Sequence, residues 1–201
     1  MEITAAMVKE LREATGAGVL DCRKALEASG GDFESAASAL REKGLAEVSK
    51  RESRVAAEGV VEVYSHLGQR VGVMLELNCE TDFVARTEDF QSLAHDLALH
   101  IAFAAPRYVS RDQVPDEEIE LKKQDYRSQA LAEGKPEEIA ERIVEGKLEK
   151  YLGDICLLEQ AFVKDEELSI EELLQHNIAR LGENIVVSRL TRYELGEHIK
   201  E

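Results

Sequence analysis

The stretch GVVEVYSHLGQRVGVMLELN, from Gly59 to Asn78, carries the reading that decides the fold. On either side of it apolar residues recur at helical spacing, but here the period falls to about two. Glu58 to Tyr64 and Arg70 to Asn78 are Val-rich runs separated by His66-Leu67-Gly68-Gln69, a pattern that predicts a β-hairpin. Alternation places Val60, Glu62 and Tyr64 on one side and Val61 and Val63 on the other, so one face of the sheet expects a cover. Far downstream, Asn184 to Leu195 alternates Ile185, Val187, Arg189, Thr191 and Tyr193 with Val186 and Leu190. It is expected as a third strand, paired with the hairpin.

Upstream of the hairpin the cap rules predict three short helices. Thr4 caps the first, with Met7, Val8 and Leu11 on one face, and Thr15 to Gly18 breaks it. Val19 to Ala28 follows, with Cys22, Ala25 and Leu26 as its apolar stripe. Gly30-Gly31 ends that helix and Asp32 caps the third, Phe33 to Lys43, which turns Phe33, Ala36, Ala37 and Leu40 inward. Gly44 is expected as its stop, and Leu45 to Arg54 as a charged linker. A bundle this small buries little surface, and such modules usually bind other proteins.

Downstream, Cys79 to Arg86 leaves the strand and enters a helix. Phe90, Leu93, Ala94, Leu97, Ala98 and Ile101 mark a long one, and Tyr108-Val109 a short extended piece. Pro115 opens a polar helix over 116–133, and Pro136 is expected at the first position of the next, whose stripe is Ile139, Ile143, Leu148 and Tyr151. The short loop between them makes an antiparallel hairpin of helices, about 116–152, projecting into solvent. Ser169 and Glu172 have capping-box spacing for a helix through Leu181, closed by Gly182. The expected class is α+β. A helical domain spans residues 1–53, and a core of a three-stranded antiparallel sheet with helices spans 54–201.

Composition narrows the function. The 201 residues are 44% hydrophobic and 33% charged, with a net charge of −16. That many apolar residues build a globular core. The acidic balance argues against direct contact with nucleic acid phosphates or an anionic membrane, and suits a basic protein surface. The excess is C-terminal: residues 111–201 hold 13 basic and 23 acidic side chains, against 8 and 10 in residues 1–52. No apolar run suggests a signal peptide or a membrane span. Cys22, Cys79 and Cys156 are far apart without a C-x-x-C pair, which disfavours metal sites and disulfides and suits a cytoplasmic location.

Candidate chemistry is sparse. Thr15 to Gly18 is glycine-rich and precedes a helix, but it lacks the phosphate-loop pattern and follows a helix, so a tight turn is the better account. Val19 and Leu20, just after it, either seal the bundle or meet a partner; spacing leaves both open. Glu76, Glu80 and Asp82 cluster at a strand end, yet no His, Lys or nucleophilic Ser lies nearby to complete a hydrolytic site. His66, His95, His100, His176 and His198 show no metal spacing. No cofactor is expected. Phe83 is either a core residue near a strand end or an exposed functional aromatic, with Thr81 or Asp82 as a helix cap.

The run Glu76-Leu77-Asn78-Cys79-Glu80-Thr81-Asp82-Phe83-Val84-Ala85-Arg86 resembles a signature of the elongation factor Ts family. ITAAMVKELREATGAGVLDCRKALEASGGD at the N-terminus resembles the family's other signature. The segments from Gly134 to Asp165 and from Gly182 to Glu197 resemble its C-terminal core, so the likeness covers nearly the whole chain. The family often has two methionines where this chain has Val19 and Leu20, and an aromatic where it has Leu190. A duplicated core found in long members is missing, which resembles the short form completed by a second chain.

The resemblance implies a ubiquitin-associated-like three-helix domain and a sheet core with a helical hairpin. It implies nucleotide exchange on elongation factor Tu, bound to GDP or nucleotide-free, with no covalent chemistry. Carried over, Thr81, Asp82, Phe83 and Val84 are partner-binding residues, and Asp82 and Phe83 form a wedge. The Phe enters an apolar slot of the partner and shifts elements that hold Mg²⁺ and phosphate. Arg12, Val19 and Leu20 match positions that grip the partner, and His100 lies in a segment resembling the partner-binding core. A homodimer is expected. The rivals are a plain adaptor, which shares the helical domain but lacks the wedge, and the hydrolase.

Overall fold

The computed structural model describes residues 3–197. Met1, Glu2 and the segment from His198 to Glu201 lie outside the described residues. In chain order the first elements are α1 (Ala5–Thr15), α2 (Val19–Ala28), α3 (Phe33–Arg51), β1 (Glu58–Ser65), β2 (Val71–Cys79) and α4 (Asp82–Ala85). Then come α5 (Glu88–Ala104), α6 (Asp116–Ala132), α7 (Glu137–Ile155), β3 (Ala161–Phe162), β4 (Asp165–Ser169), α8 (Ile170–Leu181) and β5 (Val186–Glu194). The class is α+β, as the change of period predicts. The chain divides into two compact units. One holds the residues up to Gly59, Asn78–Thr87 and Glu172–Val186; the other holds Val60–Leu77, Glu88–Glu171 and the residues from Val187 on.

In the first unit the helices start where their caps dictate. Thr4 Oγ1 accepts from the Met7 N–H at 3.3 Å, and Asp32 Oδ1 accepts from the Ser35 N–H at 2.8 Å. Val8, Leu11, Cys22, Leu26, Ala36, Ala37 and Leu40 form the core of α1–α3. Gly16 ends α1 with φ +68°, a left-handed conformation that favours glycine, and its N–H donates to the Arg12 carbonyl at 2.8 Å.

The third helix departs from expectation. It runs through Gly44 to Arg51, so most of the expected linker is helical and Val48 is buried. Gly44 does not stop the helix. A Cβ on it would stand 3.2 Å from the Ala179 Cβ of α8, so this glycine allows two helices to approach closely.

In the second unit the sheet is antiparallel with order β1-β2-β5, so the C-terminal strand pairs with the hairpin as expected. Val73, Leu75 and Leu77 are buried on one face. Helix α5 lies against that face: His95 Nδ1 meets Glu62 Oε1 at 3.0 Å, and Arg192 Nε donates to the Ala102 carbonyl at 3.2 Å. Val61, Val63, Met74 and Tyr193 are exposed, and Arg189 pairs with Glu76 at 2.6 Å. The alternation along β5 does not persist. Val187 is buried, but further on Leu190 and Arg192 are the half-covered positions and Tyr193 is exposed.

Helices α6 and α7 form the expected hairpin, with Ala130 and Ala140 buried along it. Pro136 sits at the cap of α7, one position before the first helical residue where it was expected. At the open end Glu118 accepts from Arg107 Nη1 at 2.6 Å, from the Tyr108 hydroxyl at 2.9 Å and from the Tyr151 hydroxyl. These donors, Tyr151 foremost, pull the Glu118 carboxyl down to about 2. Burial, followed by the Glu118 contact, pushes Tyr151 up to about 12. The β3–β4 pair, Ala161 against Ser169, has no counterpart in the sequence reading.

Candidate functional site

Strand β2 ends at Cys79, and the chain turns through Glu80 and Thr81 into α4, a single helical turn. Thr81 is extended, and its Oγ1 accepts from the Val84 N–H at 3.4 Å, so Thr81 caps the turn. The Ala85 N–H donates to the Thr81 carbonyl at 3.2 Å, and the Thr87 hydroxyl donates to the Val84 carbonyl at 2.7 Å. Val84 and Ala85 are buried, whereas Phe83 is 78% exposed. Of the two accounts of Phe83, the core residue is the one the structure does not support. Asp82 is exposed beside it, and Arg86 Nη2 donates to its Oδ2 at 2.7 Å.

The turn is held from a distant part of the sequence. Glu183 Oε2 accepts from the backbone N–H of Glu80 at 3.1 Å and of Thr81 at 3.0 Å, and its Oε1 accepts from the Thr81 hydroxyl at 2.6 Å. Glu80 Oε1 in turn accepts from the Asn184 N–H at 2.7 Å. Neither Glu183 nor Asn184 stands out in the sequence, because a partner a hundred residues away leaves no local pattern.

Arg12, Val19 and Leu20 belong to the same unit as Thr81–Val84. Arg12 is exposed near the end of α1. Val19 and Leu20 open α2 and are 52% and 73% exposed, so they do not seal the bundle of this chain. They are two adjacent bulky apolar side chains that the core of α1–α3 does not cover.

His100 lies in the second unit and is 1% exposed. The Val163 N–H donates to His100 Nδ1 at 3.3 Å, which leaves the ring proton on Nε2 to donate to Gln160 Oε1 at 3.0 Å. Gln160 Nε2 then donates to the Asp154 carbonyl at 2.7 Å. Burial pushes the His100 pKa below its ordinary value, against a smaller opposing effect of Gln160. A side chain so enclosed offers no surface to a partner. His100 bonds to Gln160 and to the Val163 N–H, and the expected partner contact would have almost no exposed surface to use.

The three carboxylates at the strand end have structural partners: Glu76 pairs with Arg189, Glu80 with Arg54 at 3.5 Å, and Asp82 with Arg86. Among the described residues no three His, Cys, Asp or Glu side chains gather to hold a metal ion. Cys22, Cys79 and Cys156 are free and buried; burial pushes the Cys79 and Cys156 thiols up, away from the reactive thiolate. No described helix is long and apolar enough to cross a membrane.

A family model described as Elongation factor TS matches residues 24–197. Arg12, Val19 and Leu20 precede that range, but full-length relatives cover them. The chain is 53% identical over 201 residues to "Elongation factor Ts" of Syntrophus aciditrophicus, covering 100% of both chains. It is 56% identical over 200 residues to the protein of that name from Desulfitobacterium hafniense, covering 100% of this chain and 92% of the relative. Against that of Heliobacterium modesticaldum it is 55% identical over 195 residues, with 97% and 91% covered.

Proposed function

Because the chain belongs to the elongation factor Ts family, whose members are nucleotide exchange factors for elongation factor Tu, we propose that it speeds GDP release from that partner with Phe83 as a wedge. The observation that carries the reading is the presentation of Phe83: a 78% exposed aromatic ring on a one-turn helix whose next two residues are buried. An exposed Phe has no role in the chain's own core, and an apolar slot on a partner gives it one.

The physics is linkage. A factor that binds the empty partner more tightly than the GDP-bound one must weaken GDP by the same factor. Phe83 entering the partner's nucleotide domain displaces the elements that hold Mg²⁺, and losing a hard cation between phosphate oxygens loosens GDP. Asp82 acts beside it. Thr81 and Val84 set the turn, Thr81 as cap and Val84 as buried anchor. Arg12, Val19 and Leu20 grip the partner independently of the wedge. No bond is made or broken, so the chain acts without covalent chemistry. It works in the cytoplasm, touching neither nucleic acid nor membrane.

A homodimer completes the picture. Val61, Val63, Met74 and Tyr193 leave one face of a three-stranded sheet apolar and open. Such a face is normally covered, and a second copy of this chain supplies the cover.

Release of labelled GDP from elongation factor Tu tests the wedge. The parent chain accelerates release, and Phe83→Ala lowers the acceleration tenfold or more, each ~1.4 kcal/mol being tenfold. A plain adaptor binds the partner and leaves GDP release unchanged.

A further inference from the structure

A helix of four residues cannot hold itself in place, since one turn fixes several dihedrals for very few hydrogen bonds. Beside the Thr81 cap and the buried Val84 and Ala85, Glu183 supports the turn that leads into α4. Among the described residues, the hydrogen bonds of the Glu183 carboxylate fall on Glu80 and Thr81, immediately before Asp82 and Phe83. Three donors converge on one carboxyl group and form a clamp; hydrogen bonds to a carboxylate are about twice as strong as neutral ones.

The clamp is reciprocal. Glu80 Oε1 accepts from the Asn184 backbone N–H at 2.7 Å, so each strand-end glutamate binds the other segment's main chain. Asn184 is itself fixed: it is 3% exposed, and its Nδ2 donates to the carbonyls of Glu52 at 3.3 Å and Arg54 at 2.9 Å. The turn carrying Phe83 is therefore tied through residues 183–184 to the segment that follows α3.

We propose that Glu183 is a positioning residue for nucleotide release: its carboxylate fixes the Glu80–Thr81 turn so that the exposed Phe83 ring meets the partner in one orientation. The inference rests on the wedge reading above. A group that is correctly oriented only part of the time acts only for that fraction, and the loss appears in the rate at saturation. Among the described residues Glu183 bonds to Glu80 and Thr81 and not to α1 or the start of α2, so its loss should leave the grip of the N-terminal helices intact.

The test is GDP release from elongation factor Tu, followed against concentration of the intact chain, for the parent, Phe83→Ala, Glu183→Ala, Glu183→Gln and the Phe83→Ala/Glu183→Ala double variant. Glu183→Ala should lower the saturating rate about tenfold while the half-saturating concentration moves less than about twofold. Glu183→Gln keeps an oxygen for the two N–H groups and should restore part of the rate, to about threefold below the parent. The double variant should be no slower than Phe83→Ala alone, because Glu183 acts through Phe83. A parental rate for Glu183→Ala beside a slow Phe83→Ala overturns this inference alone, as does a double variant whose losses multiply. A parental rate for Phe83→Ala overturns the wedge reading and this inference with it. Should Glu183→Ala fail to fold, the same cycle on Glu183→Gln decides: a parental rate overturns the proposal, and a slowed rate not compounded by Phe83→Ala supports it.

Discussion

The Asp82 carboxylate lies 2.7 Å from the Arg86 guanidinium, one helical turn further along the chain, and both side chains are mostly exposed. An exposed pair of this kind contributes at most about 0.5 kcal/mol. Arg86→Ala should therefore leave the melting temperature within about 2 °C of the parent, and GDP release within about threefold. Asp82→Ala should slow release in the same direction as Phe83→Ala and also loosen α4, whose first turn favours an acidic residue. Parallel melts and stopped-flow release compare the two. Equal losses for Arg86→Ala and Asp82→Ala point to the ion pair, rather than the carboxylate, as the functional unit.

Leu20 offers a test of the N-terminal helices that leaves the wedge untouched. It is 73% exposed, so Leu20→Ala removes no core contact and should melt like the parent. An apolar anchor costs about 1–3 kcal/mol on truncation, so affinity for elongation factor Tu should fall roughly tenfold or more. The saturating rate of GDP release should stay near that of the parent. Calorimetric titration of the folded variant gives the answer, and an unchanged affinity removes Leu20 from the interface.

The open sheet face predicts self-association. Sedimentation at micromolar concentration should give about twice the chain mass. Val63 stands exposed on β1, and Val63→Glu places a charge where a second sheet would pack, so it should shift the protein towards single-chain mass without unfolding it. A chain that sediments as a monomer and still exchanges nucleotide dispenses with the dimer.

Most of this architecture was legible because local signals and tertiary packing agree. Thr4, Asp32 and Thr81 each cap the helix they precede, and the Val-rich alternation over 58–78 becomes β1 and β2. Gly44 misled because glycine serves two purposes, as a stop and as a place for close approach, and only the presence of Ala179 distinguishes them. The β3–β4 pair was hidden because Asp165, Glu166 and Glu167 carry none of the β-branched residues that mark strands. The interior position of His100 could have been found: it stands three residues after Leu97 on the apolar side of α5, where helical spacing places buried residues. The Glu183 clamp had no such signal, since it joins residues a hundred positions apart that are ordinary in their own neighbourhoods.

His100 gives a pH test with a definite sign. In the folded chain its Nδ1 accepts from the Val163 N–H, and a proton placed there would face that donor. Burial lowers its folded pKa below the ordinary value of 6.5, so between the two values the unfolded chain binds more protons than the folded one. Stability therefore rises with pH through this window. The contribution is fully present above about 6.5 and is lost as pH falls through the depressed folded value. His100→Gln keeps an acceptor for Val163 and a donor for Gln160 but cannot titrate. At pH 7.5 it should cost about 1–2 kcal/mol through imperfect packing. Below about 6.5 its stability should be flatter than that of the parent, so the difference between the two shrinks on acidification. Denaturant melts across the range measure this directly. Because the ring is enclosed, the half-saturating concentration for GDP release should move less than about twofold. A large shift there, with an unchanged melt, would return His100 to the partner-binding surface.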